Sequence, residues 1–239
     1  MNYKIEAKIC QKCKKDFIIE PNDFGFYEKM DVLPPKICPK CRSQLRLTFR
    51  NERFFYRRAC DYCGKDTVSM YSQNKPFPVW CHDCWWSDEL DAKQYAIDYD
   101  PKKTFLEQFA SFYKKVPFPA LVGFRNINSH YLNFTADNRN CYLTIESSNN
   151  ENCINCYWIQ LSKDLVDCSF TDHVELSYEV DDCYDCHSLI FSKSCGYCLD
   201  SAFLLNCRGC NYCLGCINLR DQSYNIFNKQ YTKEEYEKN

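Results

Sequence analysis

Eight cysteines in the first 84 residues fall into four C-x-x-C pairs: Cys10/Cys13, Cys38/Cys41, Cys60/Cys63 and Cys81/Cys84. A C-x-x-C turn aims both sulfurs at one ion, and two such turns complete the tetrahedral four-thiolate shell that zinc favours. Twenty-four residues separate Cys13 from Cys38, and seventeen separate Cys63 from Cys81. The spacing predicts two Zn2+ ions per chain, one on the first and second pairs and one on the third and fourth. An interleaved cross-brace is the alternative. A redox role fits less well, because a redox pair needs an exposed thiol of low pKa and four pairs in series suit ligation. His82, between two ligands, is expected to point away from the metal. A closed four-sulfur shell leaves no position for water or substrate, so these sites read as structural.

The elements that must hold these pairs are partly legible. Between the second and third pairs runs CRSQLRLTFRNERFFYRR (41–58), without Gly or Pro and alternating basic with apolar residues. Wound as a helix, it places Arg42, Arg46, Arg50, Arg53 and Arg57 within an arc of about 80°, beside an apolar stripe of Leu45, Phe49 and Tyr56. A ligand pair opening a helix is the treble-clef arrangement, and CHDCWWSDEL (81–90) repeats it. Five guanidinium groups on one face match a nucleic-acid phosphate backbone through forked, charge-assisted contacts. Tyr3, Phe26, Tyr27, Phe54 and Phe55 offer rings for stacking on unpaired bases, which favours RNA over DNA. The competing reading lays the arginine stems over apolar surface, with their heads paired to Glu28, Glu52 or the acidic half of the chain.

The charge distribution agrees with such a division. Residues 1–60 carry 14 Lys+Arg against 7 Asp+Glu, residues 61–125 carry 8 against 9, and residues 126–239 carry 8 against 16. A basic region and an acidic one usually meet different partners. Twenty cysteines in 239 residues mean either a disulfide scaffold or metal ligands with buried thiols. MNYKIEAKIC contains no apolar signal segment, and no window approaches the roughly 18 apolar residues of a membrane span. A reducing cytoplasm is the expected location, with no membrane partner. Residues 87–125 read as a helical connector, with Asp100 as N-cap, Pro101 in the first turn, and Phe105, Phe109 and Phe112 packed inward. PFPALVGF (117–124) then breaks the helix.

From residue 126 the cysteines follow another rule. Units open at Cys141, Cys153, Cys168, Cys183, Cys195 and Cys207, spaced 12, 15, 15, 12 and 12 residues apart. Each is preceded by a turn-former: Asn140, Asn152, Asp167, Asp182, Ser194 and Asn206. All twelve cysteines of this half share one three-residue frame, the signature of a stacked β-solenoid whose small residues form interior ladders. CRGCNYCLGC (207–216) then needs no function at Cys207 and Cys210. Cys213 and Cys216 are additional, and leave a third metal site as an open question. Asp172, Glu175, Asp181, Asp182 and Asp185 lie close enough in sequence to suggest a carboxylate pair acting on carbohydrate, against the plainer reading of a solvated acidic face. No Ser-His-Asp set, phosphate-binding glycine loop or H-E-x-x-H motif is present.

Several stretches carry a resemblance: DFGFYEKM (23–30), CPKCRSQ (38–44), FRNER (49–53), CHDCWW (81–86), NCRGC (206–210) and NIFNKQYTKEEYE (225–237). With these the chain resembles an uncharacterised family of cysteine-rich zinc-binding proteins, tandem treble-clef or zinc-ribbon-like, from candidate-phylum bacteria. The resemblance implies zinc at the C-x-x-C pairs and no particular activity. It also implies a continuation past the capping box at Thr232 and Glu235, so the chain is expected to be a shortened member or a fragment.

The expected architecture is two small zinc-bound α+β modules followed by an all-β, cysteine-rich solenoid. Residues 1–58 form the first module with its basic helix, residues 59–125 the second with the connector, and residues 126–239 the solenoid with a short C-terminal helix. The expected function is non-enzymatic: nucleic-acid binding through the arginine face. A protein-interaction scaffold using the acidic solenoid is the first alternative, and a carbohydrate-active solenoid the second.

Overall fold

A computed structural model describes residues 4–238. Tyr3 therefore lies outside the described residues. The chain forms two compact units, residues 1–51 and residues 52–239, so the second four-cysteine group shares a unit with the solenoid. Among the described residues no helix is long and apolar enough to cross a membrane.

In the first unit, β1 (Glu6–Ile9) and β2 (Asp16–Ile19) form an antiparallel hairpin. Two helices follow, α1 (Pro21–Lys29) and α2 (Pro39–Leu47), each with Pro in the first turn, where no amide hydrogen is needed. The second unit repeats the plan. Here β3 (Tyr56–Ala59) pairs antiparallel with β4 (Asp66–Ser69), and β5 (Val79–Trp80) leads into the single-turn helix α3 (His82–Trp85).

The helix expected over residues 41–58 ends at Leu47, and this corrects the arginine-face reading. Thr48 closes α2, its hydroxyl donating to the Leu45 carbonyl at 2.6 Å. Beyond it the chain is held by tertiary contacts that outweigh helix propensity. Glu52 is buried, its carbonyl accepting from Asn133 Nδ2 and its carboxylate from the Tyr157 hydroxyl. Phe55 packs on Tyr131, and Tyr56 to Ala59 are strand.

The connector departs from expectation too. Helix α4 (Phe105–Tyr113) starts at Thr104, which forms a capping box with Glu107. Asp100 instead bonds the Lys102 amide. Phe105 and Phe109 are exposed rather than packed, and with Ile97, Tyr99 and Phe112 they line an open groove of about 470 Å³.

From Gly123 the chain winds into a parallel β-solenoid of about nine turns. Its register is uniform: Asn133 pairs with Ile145, Tyr157 with Ser169, His187 with Leu199 and Asn211 with Ser223, always twelve residues on. The expected 15-residue units are thereby corrected. Cys168 stacks on Cys156, not Cys153, and Cys183 stacks on Thr171, because adding a triplet moves a cysteine to the next side of the same coil. Each coil is four triplets. From Leu132 to Cys216 the first residue of every triplet is buried, the second pairs with neighbouring coils, and the third turns the corner at positive φ.

That corner recurs every third residue from Arg125 to Phe227. Left-handed backbone costs a non-glycine residue about 1–2 kcal/mol, least for Asn and Asp. Asn128, Asn140, Asn152 and Asp164 fill one corner column and link side chain to side chain at 2.8, 3.2 and 2.7 Å. This is why a turn-former precedes each cysteine.

Ladder pairing also leaves one backbone group per triplet without a strand partner. The amide of a buried residue points along the solenoid interior, where a Ser, Cys or Asn side chain one coil earlier accepts from it. Val174 N donates to Ser162 Oγ (3.2 Å), Cys195 N to Cys183 Sγ (3.3 Å) and Asn150 N to Asn138 Oδ1 (3.0 Å). The thiol or hydroxyl in turn donates to a carbonyl two residues back, as from Cys141 to Arg139 and from Ser162 to Gln160. Cysteine, serine and asparagine accept the interior amide in this way. Such a slot suits a small side chain that both accepts and donates, whereas Ile159, Leu165, Val174, Val180, Leu189 and Leu204 fill other interior slots by apolar packing.

Candidate metal centres

The structure brings the eight N-terminal cysteines together as two sets, Cys10/Cys13/Cys38/Cys41 and Cys60/Cys63/Cys81/Cys84, each with all four sulfurs within 4.8 Å of one another. Pairs are used in sequence and not interleaved. The sulfurs are free thiols, and Cys13–Cys38 and Cys63–Cys81 each stand 3.8 Å apart. A disulfide would bring them to about 2 Å. A tetrahedral ion with bonds of about 2.3 Å sets sulfurs about 3.8 Å apart. The donor set therefore fits a tetrahedral, thiophilic ion.

Both centres are built alike. The first pair sits in the turn of a hairpin, where a residue at positive φ follows the second cysteine: Lys14 in one case, Gly64 in the other. Their amides donate to Cys10 O and Cys60 O, each at 2.9 Å. The second pair opens a helix. Cys38 and Cys81 are the N-caps of α2 and α3, and their amides donate to Cys10 Sγ (3.3 Å) and Cys60 Sγ (3.2 Å).

These amide donors stabilise thiolate. Burial opposes ionisation of Cys10, yet amides of Cys13, Cys38 and Lys12 outweigh it and bring its pKa down to about 6. Cys60 falls to about 7, burial again being overcome by amides of Cys63, Cys81 and Tyr62. Cys41 is pushed up to about 12 by burial and by neighbouring sulfurs. Without an ion the four sulfurs of the first set cannot all ionise together. A cation held by these four residues would supply the missing charge.

His82 stays out of the second set, its Nε2 standing 3.2 Å from the Gly123 carbonyl oxygen. A contribution the sequence did not signal comes from Arg58, which is buried. It bonds Asp61 Oδ2 at 2.6 Å and the Ser72 carbonyl at 3.1 Å, and the same Asp61 oxygen accepts from the Val79 amide. This latch fixes the Cys60 turn against the strand leading to Cys81. Only the proximity of Arg58 and Asp61 to the ligands hinted at it.

The five arginines are not assembled on one helical face. Arg42 and Arg46 lie on α2, and Arg50 lies past its end. Arg53 stacks on the Tyr157 ring at 4.2 Å, and Arg57, in β3, pairs with Asp66 at 3.0 Å. Phe26 and Phe54 are exposed. The acidic cluster is likewise dispersed: Asp172 stands beside His173, Asp181 pairs with Lys193, Asp182 accepts from Ser194, and Glu175 and Asp185 occupy other columns. Cys207, Cys210, Cys213 and Cys216 occupy the four sides of one coil, all buried, and do not form a third convergent set. Burial pushes the Cys213 thiol up to about 11.

The chain matches no protein-family model and no curated protein.

Proposed function

We propose that this chain is a non-enzymatic scaffold in which two structural zinc ions fold treble-clef-like modules and the solenoid presents its outer surface to a protein partner. The closed four-sulfur geometry of both cysteine sets carries this reading: it suits Zn2+ and leaves no coordination position for chemistry. Hydrogen-bonded interior columns supply rigidity to the solenoid. Dispersal of the arginines weakens nucleic acid as the ligand, since only Arg42 and Arg46 remain on α2.

Elemental analysis of protein purified under reducing conditions should give about two zinc ions per chain, and its absorbance ratio should be that of nucleic-acid-free protein. Absence of zinc overturns the structural part. Salt-sensitive binding of single-stranded RNA, lost in an Arg42→Glu, Arg46→Glu variant that keeps its zinc, would replace the protein-scaffold reading with nucleic-acid binding.

A further inference from the structure

One outward column differs from the rest. It runs through His130, Tyr142, Ile154, Val166, Tyr178 and Ile190, each twelve residues from the last, and continues in Ala202, Leu214 and Ile226. No Asp, Glu, Lys or Arg interrupts it in nine coils. The column three residues earlier in each triplet frame alternates charge instead, Arg139, Glu151, Lys163 and Glu175 in succession, with Lys163 and Glu151 3.8 Å apart. Tyr142, Ile154 and Ile190 are 49, 47 and 44% exposed. Toward the C-terminal coils the adjoining corner column widens the strip, with Phe191 and Phe203 stacked at 5.1 Å and Phe227 exposed. Exposed apolar residues such as Trp158, Leu161 and Leu205 occur on other columns as well, but only this strand column runs without a charged residue, and a continuous uncharged, largely apolar strip marks an interaction site.

The neighbouring corner columns identify the occupant. They carry Asp164, Asp167, Glu179 and Asp200 and no basic residue. Eight coil steps at about 4.8 Å make the strip about 38 Å long, the length of a helix of roughly 25 residues. The helical pitch of about 5.4 Å nearly matches the coil spacing, so an apolar helical stripe can seat between successive column residues. A second copy of this chain fits less well. Two strips packed antiparallel would oppose Glu179 to its own copy at the centre, with no cation in either bordering column.

We propose that this column is a docking groove for a basic amphipathic helix of a protein partner, its apolar stripe on Tyr142 to Ile226 and its Lys or Arg residues beside Asp164, Asp167, Glu179 and Asp200. The proposal rests on the scaffold reading and sharpens it.

The test uses the full zinc-loaded chain and a labelled 25-residue Leu/Lys peptide with helical amphipathic periodicity, against a scrambled peptide of identical composition. The periodic peptide should bind at least tenfold tighter than the scrambled one. Ile154→Lys with Ile190→Lys should weaken it at least tenfold, and Asp167→Asn with Glu179→Gln should weaken it severalfold and flatten its salt dependence. Both pairs change outward side chains only, and zinc content with unaltered far-UV circular dichroism confirms that they fold. Equal binding of both peptides, no binding, or indifference to the column variants overturns the groove. A dimer in sedimentation equilibrium that Ile190→Lys dissociates assigns the strip to self-association instead. These failures leave zinc stoichiometry and RNA indifference untouched, whereas loss of either of those sinks the scaffold reading itself.

Discussion

Cys10 and Cys183 are both fully sequestered from solvent, yet they do opposite work. Cys10 lies where three other sulfurs converge and where backbone amides lower its pKa to about 6. Cys183 lies in a column, its nearest equivalents one coil above and one below, and it accepts a single amide from Cys195. One environment calls for a thiolate and the other for a small neutral group that donates and accepts. Cysteine suits both, so residue type alone does not separate them. What separates them is whether the backbone turns bring sulfurs toward a point or spread them along a line.

Replacing sulfur by oxygen tests that contrast, and the largest effect falls on the metal centres. On the proposed two-zinc reading, Cys10→Ser or Cys41→Ser should remove one zinc equivalent and unfold the first unit. Structural zinc contributes on the order of 10–16 kcal/mol in small zinc peptides, while the buried core of this unit consists of little beyond its ligands and Ile19. Metal analysis and proteolysis of residues 4–51 check this. A variant that keeps two zinc ions and resists protease would mean that the four sulfurs do not form the shell inferred from their spacing.

The same contrast shows why the sequence disclosed some features and hid others. Ligand pairs were legible because C-x-x-C geometry is local, and the solenoid because its three-residue frame repeats. The coil length was misread because cysteine is only one of several residues that satisfy an interior slot. Leu165 and Val180 stand twelve residues after Cys153 and Cys168, so counting cysteines alone skips to Cys168 and Cys183. The extent of α2 was hidden for a different reason: past its end at Leu47 the chain is held at Glu52 by Asn133 and Tyr157, about 80 and 105 residues downstream. Likewise α4 has the apolar periodicity of a packed helix, but periodicity does not reveal whether a neighbour covers it.

Within the solenoid the effects are smaller, and the order of substitutions should reverse. Cys183→Ala removes the acceptor for the buried Cys195 amide and should cost about 1–3 kcal/mol. Cys183→Ser restores that acceptor and should cost less, as Ser162, Ser177 and Ser192 already play this part for Val174, Leu189 and Leu204. Urea denaturation midpoints at unchanged slope would measure both. Serine proving worse than alanine would remove hydrogen bonding as the reason for the column.

The cysteine-rich coil allows a comparison at almost no change in volume. Cys213→Ser with Cys216→Ser should leave the metal content at two ions and shift stability by about 1 kcal/mol or less per site. Cys216 accepts from the Asn228 amide at 3.4 Å, a task a hydroxyl also performs. Loss of a metal equivalent would convert this coil into a third centre and erase the distinction between the two halves.

The smallest effect concerns the corners, where the fold works against intrinsic backbone preference. Leu161 turns a corner at φ 47° with its side chain 49% exposed, so it occupies left-handed backbone with little packing in return. Its column neighbour one coil earlier is Asn149, also at positive φ. Asparagine tolerates this region better than leucine, and side chains at equivalent corners bond along the column, as Asn140 does to Asn152. Leu161→Asn should therefore stabilise the solenoid by about 0.5–1 kcal/mol. The backbone bond from the Leu161 amide to the Ser148 carbonyl, at 3.2 Å, does not depend on the side chain and should persist. Zinc content should not change, because no ligand lies on this coil. A rise in the thermal midpoint at constant metal content is the expected observation. A fall would show that the Leu161 side chain contributes more by covering its neighbours than its backbone conformation costs, and the corners would then owe their sequence to packing rather than to φ.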